Sequence, residues 1–90
     1  MICFIINYQR LTLPARMADY LAECDMRVVF LDNDSDYPPL LEYYEETPHE
    51  VCKLGFNYGS AAPFHPAAGV YEKYDVNEKY VITDSALIIY

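Results

Sequence analysis

RVVFLDNDSDYPP, residues 27–39, decides the fold. Val28-Val29-Phe30-Leu31 is a continuous apolar run of β-branched and aromatic residues, the pattern of a strand buried on both faces. It breaks at once into Asp32-Asn33-Asp34-Ser35-Asp36, a polar cluster at the strand's C-terminal end. In open α/β sheets ligands bind outside the carboxyl ends of the strands. This loop is therefore the first place to look for a site. Pro38 and Pro39 then open an amphipathic segment, with Leu40, Leu41 and Tyr44 on its apolar side and Glu42, Glu45 and Glu46 on its wet side. Proline is tolerated in a first helical turn, so a helix is expected over residues 38–46, capped by Ser35 or Asp36.

Working outward, residues 2–6, ICFII, form a second continuous apolar run and a second buried strand. Leu13, Met17, Tyr20, Leu21 and Cys24 recur at helical spacing. They predict a helix over residues 13–24, with Thr12 as its N-cap and Pro14 in its first turn. Strand, helix, strand over this length is a right-handed βαβ unit with parallel strands. Downstream, residues 50–54 read as a short third strand. Gly55 and Gly59 bracket a turn in which either can adopt positive φ. Residues 60–69, rich in Ala and Pro, read as a short irregular helix or loop, and residues 70–79 as loop or one helical turn. Tyr80-Val81-Ile82-Thr83 is a fourth strand that ends at Asp84. The expectation is an α/β fold: an open, mostly parallel sheet of about four strands with flanking helices, Rossmann-like, with the first strand central.

Ninety residues suit one small domain, here residues 1–90. A formal charge of −8 argues against nucleic acid or an anionic membrane surface as a general partner. A phosphate-bearing small molecule is not excluded, because backbone N–H groups can hold one without net positive charge. Cys3, Cys24 and Cys52 form an odd, scattered set with no C-x-x-C pair, read as small buried hydrophobes in a reducing compartment. The start, MICFIINYQR, has no basic leader and is too short to span a membrane, so a cytoplasmic protein is expected. The apolar end at residues 86–90 has no place in the sheet. It points to a chain truncated at its C-terminus, or to an end covered by a second copy or a partner chain. His49 and His65 read as surface or turn residues.

In a parallel sheet the polar tips Asn7-Tyr8, Asp32–Asp36, Asn57 and Asp84 gather at one edge, an arrangement suited to a nucleotide. Four blocks then carry a resemblance: ICFIINYQRLTLPARMADYL, VVFLDNDSDYPPLLEYY, KLGFNYG with AAPF, and YVITDSAL. Together they resemble the N-terminal, nucleotide-sugar-binding half of small GT-A-type glycosyltransferases. The resemblance covers nearly the whole chain, and the second block is the most specific. It implies a nucleotide sugar as ligand, with Asp32 near the base or ribose. It also implies that Asn7 and Tyr8 border the pocket and that Asn57 and Gly59 form its wall. Asp34 belongs to the same loop, where local turn hydrogen bonds are its other reading. The family's Asp-x-Asp motif implies a divalent metal, Mn or Mg, with Asp84 as its first ligand. The second motif position is Ala86, which offers no oxygen. The family's acceptor-binding half and catalytic base lie beyond that motif, so no catalytic residue is assigned. The rival readings are a non-catalytic binding or assembly module and, more remotely, a flavodoxin-like or response-regulator-like domain.

Overall fold

A computed structural model describes residues 1–74 and 80–84. Four strands, β1 (Ile2–Asn7), β2 (Arg27–Asp32), β3 (Glu50–Lys53) and β4 (Tyr80–Asp84), lie in the order β3-β2-β1-β4. Every pairing is parallel. The helices are α1 (Thr12–Glu23), α2 (Pro38–Glu46) and α3 (Val70–Tyr74), with a 3-10 turn at Gly59–Ala61. This is the open α/β sheet that the apolar runs at residues 2–6 and 28–31 predict, with β1 between β2 and β4.

Alternation along the strands divides the core into two layers. Cys3, Ile5, Val28 and Phe30 face α1 and α2, where they meet Met17, Ala18, Leu40 and Tyr44. Phe4, Val29 and Leu31 face the other way, toward Cys52 and Val70. Phe30 is fully buried and meets Tyr43 and Tyr44 at ring-centroid distances of 5.9 and 5.7 Å. Phe4 meets Tyr74 edge-on at 5.8 Å. Two apolar faces explain why these strands read as unbroken hydrophobic runs.

The chain runs β1, β2, β3 outward on one side, then crosses back over β1 to place β4 on the other side. Parallel crossovers are right-handed. Reversing the direction therefore puts α1 and α2 on one face and α3 on the opposite face. Between β1 and β4 the connections leave in opposite directions and a crevice opens at the strands' carboxyl ends.

Several local expectations are corrected. Thr12 is the first residue of α1 rather than its cap, and neither α1 nor α2 has a side-chain cap hydrogen bond. Proline explains both. A Thr12 cap would need the N–H of residue 14 or 15, but Pro14 has none and Ala15 N–H already donates to Leu11 O at 3.0 Å. In α2, Pro39 lacks the N–H and Leu40 N–H donates to Tyr37 O at 3.0 Å. Ser35 and Asp36 bond elsewhere. The buried face of α1 is Pro14, Met17 and Ala18, joined by Leu21. Leu13, Tyr20 and Cys24 are exposed, so Cys24 is not a core residue. Cys3 and Cys52 are buried as expected, and burial pushes the Cys3 thiol up to about 11. The His49 side chain is largely buried against Phe30 rather than at the surface as expected, with Nε2 3.1 Å from Asp19 Oδ1; His65 is exposed.

No helix among the described residues is long and apolar enough to cross a membrane. The apolar stretch at 87–90, expected to meet a partner, lies outside the described residues.

Candidate functional site

Register sets out the site. In the β1–β2 pairing Asn7 lies beside Asp32, and in the β1–β4 pairing Ile6 lies beside Asp84. Asn7 and Asp32 continue the row of Ile5 and Phe30, on the α1–α2 face. Ile6 and Asp84 continue the opposite row. Asn33 N–H donates to Asn7 O at 2.9 Å, so the ladder runs one residue beyond β2. That extension puts Asn33 on the face of Val29 and Leu31, away from Asp32.

On the α1–α2 face the polar tips form a buried hydrogen-bond network. Tyr44 hydroxyl donates to Asp32 Oδ1 at 2.7 Å and accepts from Asn7 Nδ2 at 2.9 Å. Ser35 binds the same carboxylate twice, through its hydroxyl to Oδ1 at 2.6 Å and its N–H to Oδ2 at 2.8 Å. Asn7 Nδ2 also donates to Arg10 O at 2.8 Å, which leaves Asn7 Oδ1 without a partner among the described residues. Asp32 is 2% exposed. Burial, reinforced by the Asp32 carboxylate, pushes the Tyr44 phenol well above its ordinary range, so Tyr44 stays a neutral donor.

The network extends to the loop after β1. Gln9 turns the chain at φ 59°, and its N–H donates to Ser35 Oγ at 2.9 Å. Its side-chain carbonyl accepts the N–H groups of Asp36 and Tyr37, each at 2.9 Å, and its amide N–H donates to Asp36. These bonds tie the Tyr8–Arg10 loop to the loop that carries Asp32–Asp36. Asp34 stands exposed at φ 66°, as a turn residue.

On the other face lies an open cleft of about 370 Å³, lined by Ile6, Tyr8, Arg10, Asn33, Asn57, Gly59, Ser60 and Asp84. It occupies the crevice between the ends of β1 and β4. Asn33 holds its far wall: Oδ1 accepts Tyr58 N–H at 3.1 Å, and Nδ2 donates to Gly59 O at 3.2 Å. Asn57 Oδ1 accepts Gly59 N–H at 2.9 Å and so closes the turn on itself. Gly59 has φ 61°, the left-handed conformation expected of it. The wall thus offers two amides, a hydroxyl, a phenol, one guanidinium and one carboxylate. That mixture can bind a polar, anionic ligand from several sides.

Four of the expected site residues, Tyr8, Asn57, Gly59 and Asp84, meet at this cleft. Asn7 and Asp32 sit behind it in the network, and Asp34 is outside it. Arg10, Asn33 and Ser60 line the cleft and were not singled out from the sequence. Alternation could have identified Asn33, since Val29, Leu31 and residue 33 share a face whenever Val28 and Phe30 face the first helices. Nothing in the local sequence marks Arg10 or Ser60.

Among the described residues Asp84 is the one carboxylate that lines the cleft, and Arg10 lines it too. No group of three His, Cys, Asp or Glu side chains converges among the described residues. No family model, curated protein or solved structure matches the chain. The fold it shares is the generic Rossmann-like one, a small parallel sheet with flanking helices.

Proposed function

We propose that the chain is the donor-binding half of a glycosyltransferase and holds a nucleotide-diphospho-sugar in the cleft between β1 and β4. One observation carries this reading. The polar cleft lies at the point where the strand order reverses, and four residues implied by the glycosyltransferase resemblance line it together: Tyr8, Asn57, Gly59 and Asp84. Such crevices are where open α/β sheets bind nucleotides. The volume, about 370 Å³, is within the range of small-molecule sites.

In this reading Ile6 and the Tyr8 ring give an apolar surface for the base or sugar. The Asn57 side-chain N–H groups and the Ser60 hydroxyl bond to the ligand's polar groups, while Asn33 holds the wall that carries them. Asp84 accepts from a sugar or ribose hydroxyl. Asn7 and Asp32 act from behind, by fixing the Tyr8–Arg10 loop. In the complete reaction an acceptor hydroxyl oxygen forms a bond to the sugar's anomeric carbon and gives up its proton to a base in the acceptor half. The bond from that carbon to the diphosphate breaks, and the nucleoside diphosphate leaves with the electron pair.

Calorimetric titration with uridine diphosphate glucose and guanosine diphosphate mannose tests the reading. Saturable binding of at least one of them, at one site per chain, is expected. Absence of saturation by both at millimolar concentration, with and without manganese, would overturn it.

A further inference from the structure

The cleft's charge arrangement departs from the metal-dependent pattern that the resemblance implies. A diphosphate brings two or more negative charges into a chain whose formal net charge is already −8. Something local must offset them. A divalent ion bridging protein and diphosphate needs oxygen ligands from the protein. Among the described residues the cleft supplies one carboxylate, Asp84, and position 86, where the second motif ligand would stand, is alanine in the sequence. Among the described residues the one cationic side chain on the wall is Arg10. A guanidinium and a bound divalent ion in one small cleft repel each other. A guanidinium and a diphosphate attract, and its planar fork matches two phosphate oxygens at once.

The position of Arg10 is also built in. Its carbonyl oxygen accepts from the buried Asn7 amide at 2.8 Å. The preceding residue, Gln9, is held in the left-handed conformation by four hydrogen bonds to Ser35, Asp36 and Tyr37. The backbone that presents the guanidinium is therefore fixed before any ligand arrives, which reduces the entropy lost on binding.

We propose that Arg10 is the diphosphate-binding residue of this cleft, and that it takes the place of the divalent ion, so that the nucleoside diphosphate binds without metal. This rests on the nucleotide-sugar reading above. In binding, the two phosphate groups sit against the Arg10 guanidinium.

The test is titration of the full chain with uridine diphosphate and with uridine, in chelator and in manganese, for the native protein, Arg10→Gln and Arg10→Lys. Arg10 is exposed, so neither substitution disturbs the core, and thermal unfolding checks this. The expected result is uridine diphosphate binding of equal strength with chelator and with manganese. Arg10→Gln weakens it about tenfold or more, Arg10→Lys less, and uridine binding is unchanged in both. Binding that appears only with manganese, or that survives Arg10→Gln undiminished, overturns the role of Arg10 but leaves the nucleotide-sugar reading standing. No binding of uridine diphosphate or of the nucleotide sugars under either condition overturns both.

Discussion

Tyr44 hydroxyl donates to Asp32 Oδ1 across 2.7 Å and thereby joins the last turn of α2 to the tip of β2 inside the protein. Both residues are buried, at 7% and 2% exposure. The same hydroxyl accepts from Asn7, so one oxygen links β1, β2 and α2. Tyr44→Phe keeps the ring and its contact with Phe30 but leaves Asp32 and Asn7 each short of a bond. Leaving buried polar groups unpaired costs about 1–3 kcal/mol. Urea denaturation should show the variant destabilised by about 2 kcal/mol; a change within error of zero would mean the network is not formed as described.

Alkaline pH tests the same feature through the tyrosines. Burial, with the Asp32 carboxylate second, pushes the Tyr44 phenol well up, and burial raises Tyr43 and Tyr74 as well. Tyr71, bonded to Tyr80, is pushed up to about 12, chiefly by desolvation. In the unfolded chain these phenols lose their protons near pH 10. The folded state holds the proton more tightly, so this contribution to stability is complete below about pH 10 and is lost as pH rises above it. Ultraviolet absorbance should show fewer tyrosinates in the folded than in the urea-unfolded protein at about pH 11. Equal numbers would contradict the buried network.

Asp32 and Asn33 are adjacent in sequence but face opposite sides of the sheet, and their variants should separate accordingly. Asp32→Asn impairs the bonds to Ser35 and Tyr44 and should lower stability by about 1–3 kcal/mol. Under conditions where it is folded, its ligand affinity should fall only through the loosened Tyr8–Arg10 loop, and so by less than that of Asn33→Ala. Asn33→Ala frees Tyr58 N–H and Gly59 O, releasing the wall that carries Asn57 and Ser60. It should lower nucleotide-sugar affinity about tenfold, a difference of about 1.4 kcal/mol. The reverse pattern would place the ligand on the Asp32 side.

Gly59 offers a purely conformational test. An added Cβ would meet nothing within 4 Å, yet φ is 61°. Gly59→Ala should therefore cost about 1 kcal/mol from the left-handed backbone alone, with no steric term. Thermal unfolding with circular dichroism measures it. A loss several times larger would mean that the turn packs against something further.

The sheet was legible because its signals are large and local. Unbroken apolar runs at residues 2–6 and 28–31 are what strands covered on both faces require, and within a helical pattern Pro38-Pro39 fits only the first turn. The helix caps were misread at Thr12, Ser35 and Asp36 because the prolines that mark the helix starts also remove the N–H groups a cap would bind. The site was half legible for a different reason. That polar residues gather at strand ends follows from topology, and it placed Tyr8, Asn57 and Asp84 together, while Gly59 came from the resemblance alone. Which neighbour faces the cleft depends on strand parity, and one residue of parity separates Asp32 in the network from Asn33 on the wall. Arg10 was invisible because its place depends on Gln9 being turned left-handed by a loop 26 residues downstream, a contact no local pattern encodes.

The central claim is that the ligand enters between β1 and β4, and chemical-shift mapping tests it most directly. Labelled protein titrated with uridine diphosphate glucose and guanosine diphosphate mannose should show shifts at the backbone amides of Tyr8, Arg10, Asn33, Asn57, Gly59, Ser60 and Asp84 with at least one of them. Asp34, on the exposed turn, should be unaffected. Shifts confined to Asp34–Asp36 and α2, or none at millimolar ligand, would contradict the account.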